Sequence, residues 1–165
     1  MRRALRHVYL SLGSNLGDRK ANLERALAAL EAESIRVTAR SSFYETQPQE
    51  VWEQPWFLNL AVACETEYLP LQFLVISQRI ERELGRVRGP GLKPKGPRLI
   101  DIDILLYGNV VMQNLRLTIP HPRLPVRRFV LEPLVEIAPD LRHPGTGRYL
   151  RDYLRKVRGQ QLRKL

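Results

Sequence analysis

The length and composition of this chain limit the kinds of protein that it can be. Its 165 residues are enough for one domain with a core of its own, so we predict a single domain over residues 1–165. The one cysteine, Cys64, excludes an internal disulfide framework and a cysteine-based zinc site. The 27 lysines and arginines against 17 acidic residues leave a net charge of +10, which favours anionic ligands.

The sequence also lacks the patterns that direct proteins into or across membranes. No apolar run is long enough to cross a bilayer, and the basic N-terminus soon runs into glycine, asparagine and aspartate. We therefore expect a cytoplasmic protein with no signal peptide and no membrane partner.

The first predicted elements are a strand and a helix. Residues 8–12, VYLSL, alternate between apolar and polar side chains, which is typical of a strand with one buried face. The following GSNLGD predicts a turn, and Asp18 can cap a helix. The apolar residues at helical spacing after Asp18 are Leu23, Ala26, Leu27 and Leu30.

Two strands and a second helix follow. Residues 35–46 alternate again, residues 47–56 predict a loop, and residues 57–65 predict a strand. Pro70 suits the first turn of a helix that ends near Gly85. The residues that we expect to face the core from this helix are Leu71, Leu74, Val75, Ile80 and Leu84.

A loop and a two-faced strand complete the pattern. Residues 89–97, GPGLKPKGP, are too rich in glycine and proline for regular structure. Residues 98–108, RLIDIDILLYG, predict a strand with its isoleucines on one face. The order strand, helix, strand, strand, helix, strand predicts an α+β, ferredoxin-like antiparallel sheet with both helices on one face. The residues expected on the other face include Tyr9, Ser11, Phe57, Asn59, Asp101 and Asp103.

The C-terminal third predicts a hairpin and further helices. Residues 110–119 suit the hairpin, and Pro133 suits the first turn of a short helix that ends at Ile137. Thr146 can cap a last helix over residues 147–157. The basic residues after this helix are expected to fray.

Asp101 and Asp103 are the main chemical signal in the chain. Side chains two residues apart in a strand point to the same face, with Cα atoms about 6.6 Å apart. Two such carboxylates can bind one Mg²⁺ ion or bracket two, with water and substrate phosphate as the other ligands. Spacing alone leaves an alternative, in which arginines neutralise the pair on a solvated face.

Basic residues cluster in sequence around the two aspartates. Guanidinium groups bind phosphate through paired hydrogen bonds, so carboxylates for Mg²⁺ beside many arginines favour a nucleoside triphosphate. The chain has no G-x-x-x-x-G-K-[ST] pattern, which excludes a P-loop enzyme. We expect the basic loop at residues 89–97 to close over the nucleotide. The clustered residues are Arg86, Arg88, Lys93, Lys95, Arg98, Arg116, His121, Arg127 and Arg128.

The chain resembles the 6-hydroxymethyl-7,8-dihydropterin pyrophosphokinases of folate biosynthesis over nearly its whole length. The motifs that carry the resemblance are YLSLGSNLGDR, SSFYET, QPWFLNLAV, RIERELGRVR, GPRLIDIDILLYG, LTIPHPR and FVLEPLVEIAPDL. The resemblance implies a ferredoxin-like fold and Mg²⁺-dependent transfer of pyrophosphate from ATP to the hydroxymethyl group of the pterin, which releases AMP. It also implies two Mg²⁺ ions. We expect a monomer that binds ATP and a reduced pterin and no nucleic acid.

The same resemblance implies roles for individual residues. Asp101 and Asp103 match metal ligands, and Asp103 is the candidate acceptor of the hydroxyl proton. Arg86 and Arg98 match arginines that stabilise the transferred phosphates. The positions matched around ATP are Gln78, Glu81, Arg88, Arg98, Ile104, Arg116, Thr118, His121 and Arg127. The positions matched in the pterin pocket are Thr46, Phe57, Asn59 and Phe129.

Two other functions fit parts of the sequence. An RNA-binding module can use the same order of strands and helices, and the net charge of +10 suits it. However, the aromatic sheet motif of such modules is absent, and acidic residues on the open face would repel phosphates. A glycosyltransferase or nucleotidyltransferase can also use a D-x-D pair. Release of AMP from ATP separates a pyrophosphokinase from these alternatives.

Overall fold

The computed structural model of the chain describes residues 4–46, 55–85 and 99–165. The predictions for residues 47–54 and 86–98, including the loop at 89–97, lie outside these residues. The helices are α1 (Arg19–Ala32), α2 (Pro70–Glu83), α3 (Arg128–Ile137) and α4 (Leu150–Lys156), with a 3₁₀ turn at Leu124–Val126. The strands are β1 (Arg6–Ser14), β2 (Arg36–Arg40), β3 (Tyr44–Thr46), β4 (Phe57–Thr66), β5 (Asp101–Tyr107), β6 (Met112–Gln113), β7 (Thr118–Ile119) and β8 (Arg163–Lys164).

Within the described residues, the large sheet has six strands, with β1 between β5 and β4. Its strand order is β5–β1–β4–β3–β8, and β2 also pairs with β4. β1 is antiparallel to both β4 and β5, while β2 and β3 are antiparallel to β4. Helices α1 and α2 pack on one face of this sheet, so the predicted ferredoxin-like arrangement is confirmed.

Residues 35–46 form two short strands rather than one. The break between β2 and β3 falls at Ser41, whose amide donates to the carbonyl of Ala61 at 2.9 Å. The Ser41 hydroxyl accepts from the amide of Ala61 at 2.9 Å, so the side chain replaces a ladder partner at the break.

The helix-facing side of the sheet follows the predicted alternation. Apolar side chains of β1, β4 and β5 share one buried cluster with α1 and α2. Asp18 caps α1 by accepting from the amide of Ala21 at 3.1 Å, and α2 ends where Gly85 takes a φ of +104°, both as predicted. The strand residues of this cluster include Val8, Leu10, Leu12, Leu58, Leu60, Val62, Cys64, Ile102 and Ile104.

A second apolar cluster covers part of the opposite face. The register of β5 against β1 shifts after Ile104, so Leu105 and Leu106 both join this second cluster before Tyr107 returns to the first. Helices α3 and α4 supply the covering side chains. The face that carries the aspartates is therefore covered at one end of the sheet by the C-terminal helices.

The buried side of α2 differs from the prediction. Val75 was expected in the core but is 49 % exposed, whereas Phe73 is fully buried. The buried residues of α2 include two polar ones, Ser77 and Glu81, so the apolar residues alone do not mark the buried stripe.

Two predictions about the last helices are wrong. Pro133 lies inside α3, which begins at Arg128, because burial of the residues around it offsets the lost backbone hydrogen bond. Thr146 does not cap α4, which begins at Leu150. The Thr146 hydroxyl instead shares a 2.7 Å hydrogen bond with the hydroxyl of Tyr153.

The predicted fraying of the C-terminal residues is also wrong. Arg163 and Lys164 form β8, which pairs with Glu45 and Tyr44 of β3. The amide of Leu165 donates to the carbonyl of Phe43 at 2.9 Å. Among the described residues, no helix has the length and apolar character that crossing a membrane requires.

Phe73→Ala should destabilise the protein by about 3–5 kcal/mol, because it empties a fully buried ring site in the helix-side cluster. The Phe73 ring also meets Tyr107 edge to face at 5.8 Å between centroids. Val75→Ala on the same helix is the matched control and should change stability by less than about 0.5 kcal/mol. Urea unfolding measures both values, and equal effects would contradict the observed face of α2.

Candidate active site

The open face of the sheet brings the predicted metal and pterin residues into one row. Gly13 of β1 pairs with Asn59 of β4 on one side and with Asp101 of β5 on the other. Two residues earlier in β1, Ser11 pairs with Ala61 of β4 on one side and with Asp103 of β5 on the other. Because neighbouring strands lie about 4.8 Å apart, the Cα atoms of Asn59 and Asp101 are about 10 Å apart.

The two aspartates share this face, as their spacing predicted. Asp101 and Asp103 are half-buried, and Ile102 between them lies in the helix-side cluster. Among the described residues, no three or more histidine, cysteine, aspartate or glutamate side chains form a group able to hold a metal ion. Two carboxylates still fit Mg²⁺, because this ion takes one or two protein carboxylates and completes its shell with water and phosphate oxygens.

Glu81 supports β5 between the two aspartates. Its carboxylate accepts from the amide of Ile102 at 3.0 Å, and the residue is only 4 % exposed. Since β5 is the edge strand of the sheet, this bond gives its outer edge a partner from α2. Gln78 is half-buried one turn earlier on α2, on the same side of the helix.

Asn59 and Thr46 form the buried polar part of the predicted pterin pocket. The Asn59 amide nitrogen donates to the Thr46 hydroxyl at 2.7 Å, and the two residues are 4 % and 3 % exposed. This bond turns Oδ1 of Asn59 toward Gly13. Phe57 lies two residues before Asn59 on the same face and is half-buried.

Gly13 is a position of the candidate site that the sequence patterns did not predict. A Cβ atom built on Gly13 would lie 2.7 Å from Oδ1 of Asn59 and 3.4 Å from a ring carbon of Phe57. Because Gly13 has no side chain, no β1 side chain at this position separates the Asn59 amide from Asp101. Glycine inside a strand can mark a close approach, and this was the available signal in the sequence.

The start of α3 supplies another wall. Phe129 lies in the first turn of α3 and packs against the second cluster, which includes Ala61 of β4. The guanidinium group of Arg127 lies over the Phe129 ring at 5.4 Å from its centroid. The structure thus brings together one predicted ATP residue and one predicted pterin residue.

His121 is held next to β5 in a neutral form. Its amide donates to the carbonyl of Leu105 at 2.9 Å, and its Nδ1 accepts from the amide of Arg123 at 3.1 Å. Burial, and next the charge of Arg127, lower the pKa of His121 to about 4, although Asp101 acts in the opposite direction. With Nδ1 accepting, the ring proton lies on Nε2, which can donate to an anionic ligand.

Arg116 and Thr118 lie on the β6–β7 hairpin. The side-chain oxygen of Asn114 accepts from the amide of Arg116 at 2.8 Å and from that of Leu117 at 2.9 Å, which fixes the turn. Arg116 is exposed and Thr118 is half-buried. The Ile119–Pro120 peptide that follows is cis.

Among the described residues, one predicted site residue does not direct its side chain to the open face. Ile104 is 4 % exposed in the helix-side cluster, so a ligand on the open face can reach only its backbone. Arg86, Arg88 and Arg98 lie outside the described residues, and their predicted roles stay predictions.

Comparisons with known proteins give one consistent result. The model of the family described as 7,8-dihydro-6-hydroxymethylpterin-pyrophosphokinase matches residues 9–139. A 2-amino-4-hydroxy-6-hydroxymethyldihydropteridine pyrophosphokinase of Methylorubrum extorquens is 49 % identical over 135 residues, which cover 81 % of this chain and 84 % of that protein. The folic acid synthesis protein fol1 of Pneumocystis carinii is 43 % identical over 150 residues. That match covers 91 % of this chain, but the chain spans only 20 % of the length of fol1.

A solved structure shares the fold. The crystal structure of Plasmodium falciparum HPPK-DHPS with pteroate matches with a TM-score of 0.75 at 18 % identity. The match covers 94 % of this chain and 45 % of that chain. It supports the ferredoxin-like architecture described above.

Gly13→Ala should displace the side chain of Asn59, because the new Cβ cannot lie 2.7 Å from Oδ1. If the ligand is the pterin that the resemblance implies, its binding should weaken roughly tenfold, the loss expected when a buried hydrogen-bond acceptor is misplaced. Calorimetry measures the affinity, and the Asn59 amide resonances in an NMR spectrum report the displacement. Val75→Ala is the control, since the Val75 side chain is 49 % exposed on α2 and has no proposed role in the site. Unchanged Asn59 resonances in Gly13→Ala would contradict the geometry.

The His121 ring should titrate with a pKa of about 4 in the ligand-free protein. Since an unfolded histidine has a pKa near 6.5, the unfolded chain binds more protons between about pH 4 and 6.5, so this group makes stability rise with pH in that window. NMR titration of the ring measures the pKa, with His121→Asn identifying the signal. A midpoint near 6.5 would contradict the burial described here.

Proposed function

Because this chain belongs to the 7,8-dihydro-6-hydroxymethylpterin-pyrophosphokinase family, we propose that it transfers pyrophosphate from ATP to 6-hydroxymethyl-7,8-dihydropterin. The products are AMP and the pterin diphosphate, and the reaction is a step of tetrahydrofolate biosynthesis. The observation that carries this proposal is the row Asp101–Gly13–Asn59. In this row, Gly13 has no side chain. The carboxylates of β5 lie on one side of Gly13, and the buried Asn59 amide of β4 lies on the other.

The pterin binds on the β4 side of Gly13. Oδ1 of Asn59 accepts from the N–H groups of the pyrimidinone edge, and the bond to Thr46 holds the amide in that orientation. Phe57 on the sheet and Phe129 on α3 stack on the two faces of the bicyclic ring. Gly13 lets the hydroxymethyl arm pass toward the aspartates.

ATP binds on the β5 side of Gly13. Asp101 and Asp103 would hold two Mg²⁺ ions, and these ions would supply positive charge that neutralises the phosphates. His121 donates from Nε2 to the nucleotide as a neutral ring. The remaining residues proposed around ATP are Gln78, Glu81, Arg88, Arg98, Ile104, Arg116, Thr118 and Arg127.

In the reaction, the hydroxymethyl oxygen of the pterin attacks the β-phosphorus of ATP. A new bond forms between this oxygen and the β-phosphorus while the bond to the oxygen bridging the α- and β-phosphorus breaks, and AMP leaves with that oxygen. Asp103 accepts the hydroxyl proton. Arg86 and Arg98 stabilise the charge on the moving phosphates. Positioning and charge neutralisation supply most of the acceleration, as in other phosphoryl transfers.

The structure also bears on the number of domains, the oligomeric state and the cellular location. We propose one domain, since a single large sheet carries both apolar clusters and every proposed site residue that the structure describes comes from one chain. A monomer is therefore sufficient for the reaction. We also propose a cytoplasmic location, since the one cysteine, Cys64, is 1 % exposed and unpaired, so the fold does not depend on a disulfide bond.

RNA binding is the alternative with the same topology. It is less favoured because α3 and α4 pack on part of the face that such a module needs for RNA, and because Asp101 and Asp103 occupy another part. Binding of RNA that weakens steeply with salt and ignores Mg²⁺ would support it.

Incubation with ATP, Mg²⁺ and 6-hydroxymethyl-7,8-dihydropterin should yield AMP and the pterin diphosphate, which ³¹P NMR resolves from ADP. Asp101→Asn and Asp103→Asn should each lower turnover by at least about 100-fold, because each removes an anionic ligand that holds Mg²⁺ beside the phosphates. Asp140→Asn is the control, since the Asp140 side chain is 89 % exposed and pairs with Arg151.

The outcomes separate the candidate functions. ADP as the nucleotide product would indicate an ordinary kinase, and no nucleotide product at all would overturn the proposal. Normal turnover in both aspartate variants would leave the pyrophosphokinase intact but remove the metal assignment.

A further inference from the structure

The C-terminal segment at residues 158–165, here called the strap, contacts two separate walls of the proposed pterin pocket. It leaves α4, passes the start of α3 and then joins the edge strand β3. Its first part lies against Arg128, which precedes Phe129. Its last part pairs with Glu45, which precedes Thr46.

At the first wall, the side chain of Gln160 binds the backbone on both sides of Arg127. Its Oε1 accepts from the amide of Arg128 at 2.9 Å, and its Nε2 donates to the carbonyl of Val126 at 2.8 Å. The first amides of a helix have no partner within the helix, and Arg127 at the N-cap position of α3 provides no side-chain hydrogen bond. Gln160 therefore acts as the cap of α3 from another part of the chain.

Arg128 strengthens the same contact from the other side. Its guanidinium group donates to the carbonyl of Gln160 at 2.9 Å and to that of Arg158 at 3.1 Å. It also pairs with Glu132 at 3.1 Å, one turn along α3. The strap and the first turn of α3 thus hold each other through four hydrogen bonds, which fix the backbone between Arg127 and Phe129.

At the second wall, the carboxylate of Glu45 pairs with two arginines, one from the strap and one from the start of α1. Arg163 of the strap pairs with one of its oxygens, and Arg19 at the start of α1 pairs with the other at 2.8 Å. Arg19 also donates to the carbonyl of Trp56 at 3.0 Å. Hydrogen bonds from Arg19 and then from Arg163 lower the pKa of Glu45, so this carboxylate is charged.

The sequence neighbours of this ion-paired group are pocket residues. Glu45 comes directly before Thr46, and Trp56 comes directly before Phe57. Thr46 is the last residue of a strand of only three residues, which is bound to β4 on one side and to β8 on the other. A strand that short depends on both neighbours for its position.

We propose that residues 158–165 set the separation of the two walls of the pterin pocket, with Gln160 positioning Arg127 and Phe129 and Arg163 positioning Thr46 through Glu45. This inference rests on the proposed function, because it takes Phe129 and Thr46 as pterin-binding residues. Neither strap residue touches the reacting atoms. Both act through the residues that they hold.

The first test compares Gln160→Ala with Gln161→Ala. Gln161 is the same residue type one position later, is exposed, and makes no side-chain hydrogen bond to any described residue. Gln160→Ala should raise the KM for both the pterin and ATP by about tenfold, since Phe129 and Arg127 both move, whereas Gln161→Ala should stay within about twofold. Gln160→Glu keeps the acceptor for the Arg128 amide and should recover part of the loss.

The second test compares Arg163→Ala with Arg155→Ala. Arg155 is also an exposed arginine with one acidic partner, Asp152 at 3.3 Å. Arg163→Ala should raise the KM for the pterin by roughly fivefold and leave the KM for ATP unchanged, because Thr46 lies on the pterin side only. Arg155→Ala should change neither value. A role confined to general stability would lower the melting temperature without this split between substrates.

Hydrogen exchange at the Arg128 amide gives a readout that needs no activity. Gln160→Ala should reduce protection of this amide and Gln161→Ala should not. Wild-type protein that forms no AMP overturns the proposed function, while the exchange result still reports on the contact. Active wild-type protein, with kinetics in Gln160→Ala equal to those in Gln161→Ala, overturns the positioning role of the strap.

Discussion

The pairing of β1 with strands on both of its sides is the constraint on which the rest of the site depends. A strand gives alternate side chains to opposite faces, so Leu10 and Leu12 can anchor the core while Ser11 and Gly13 form the floor of the site. Antiparallel pairing then fixes Asn59 and Asp101 at a separation that no side-chain rotation can change. The distance between the two halves of the reaction is therefore a property of the backbone.

The core face and the site face depend on each other through β5. Ile102 and Ile104 bury their side chains against the helices, and this holds Asp101 and Asp103 on the open face although two carboxylates repel each other there. After Ile104 the register shift places Leu106 beside Leu105 in the second cluster, and the carbonyl of Leu105 accepts from the amide of His121. Leu105, the extra residue, thus lies where the candidate site on β5 ends and the second cluster begins.

The sequence allowed correct predictions where local periodicity governs the result. The order of elements, the inward isoleucines of β5 and the cap at Asp18 all depend on residues within a few positions of one another. Failures occurred where long-range burial decided the outcome. The buried face of α2 includes Ser77 and Glu81, and the Glu81 carboxylate accepts from the amide of Ile102, a contact that is distant in sequence. The importance of Gly13 likewise depends on a contact with Asn59, which sequence spacing does not reveal.

The walls of the pocket need support that the sheet alone does not give. Thr46 ends a short strand beside the sheet edge, and Phe129 stands in the first turn of a helix, where backbone amides lack partners. At both positions, part of the backbone hydrogen bonding must come from another segment of the chain. Residues 158–165 bind next to both Thr46 and Phe129, and so they restrict the motion of both residues. Phe129 and Thr46 therefore share one support, so a change in residues 158–165 would reach the proposed pterin pocket from both sides.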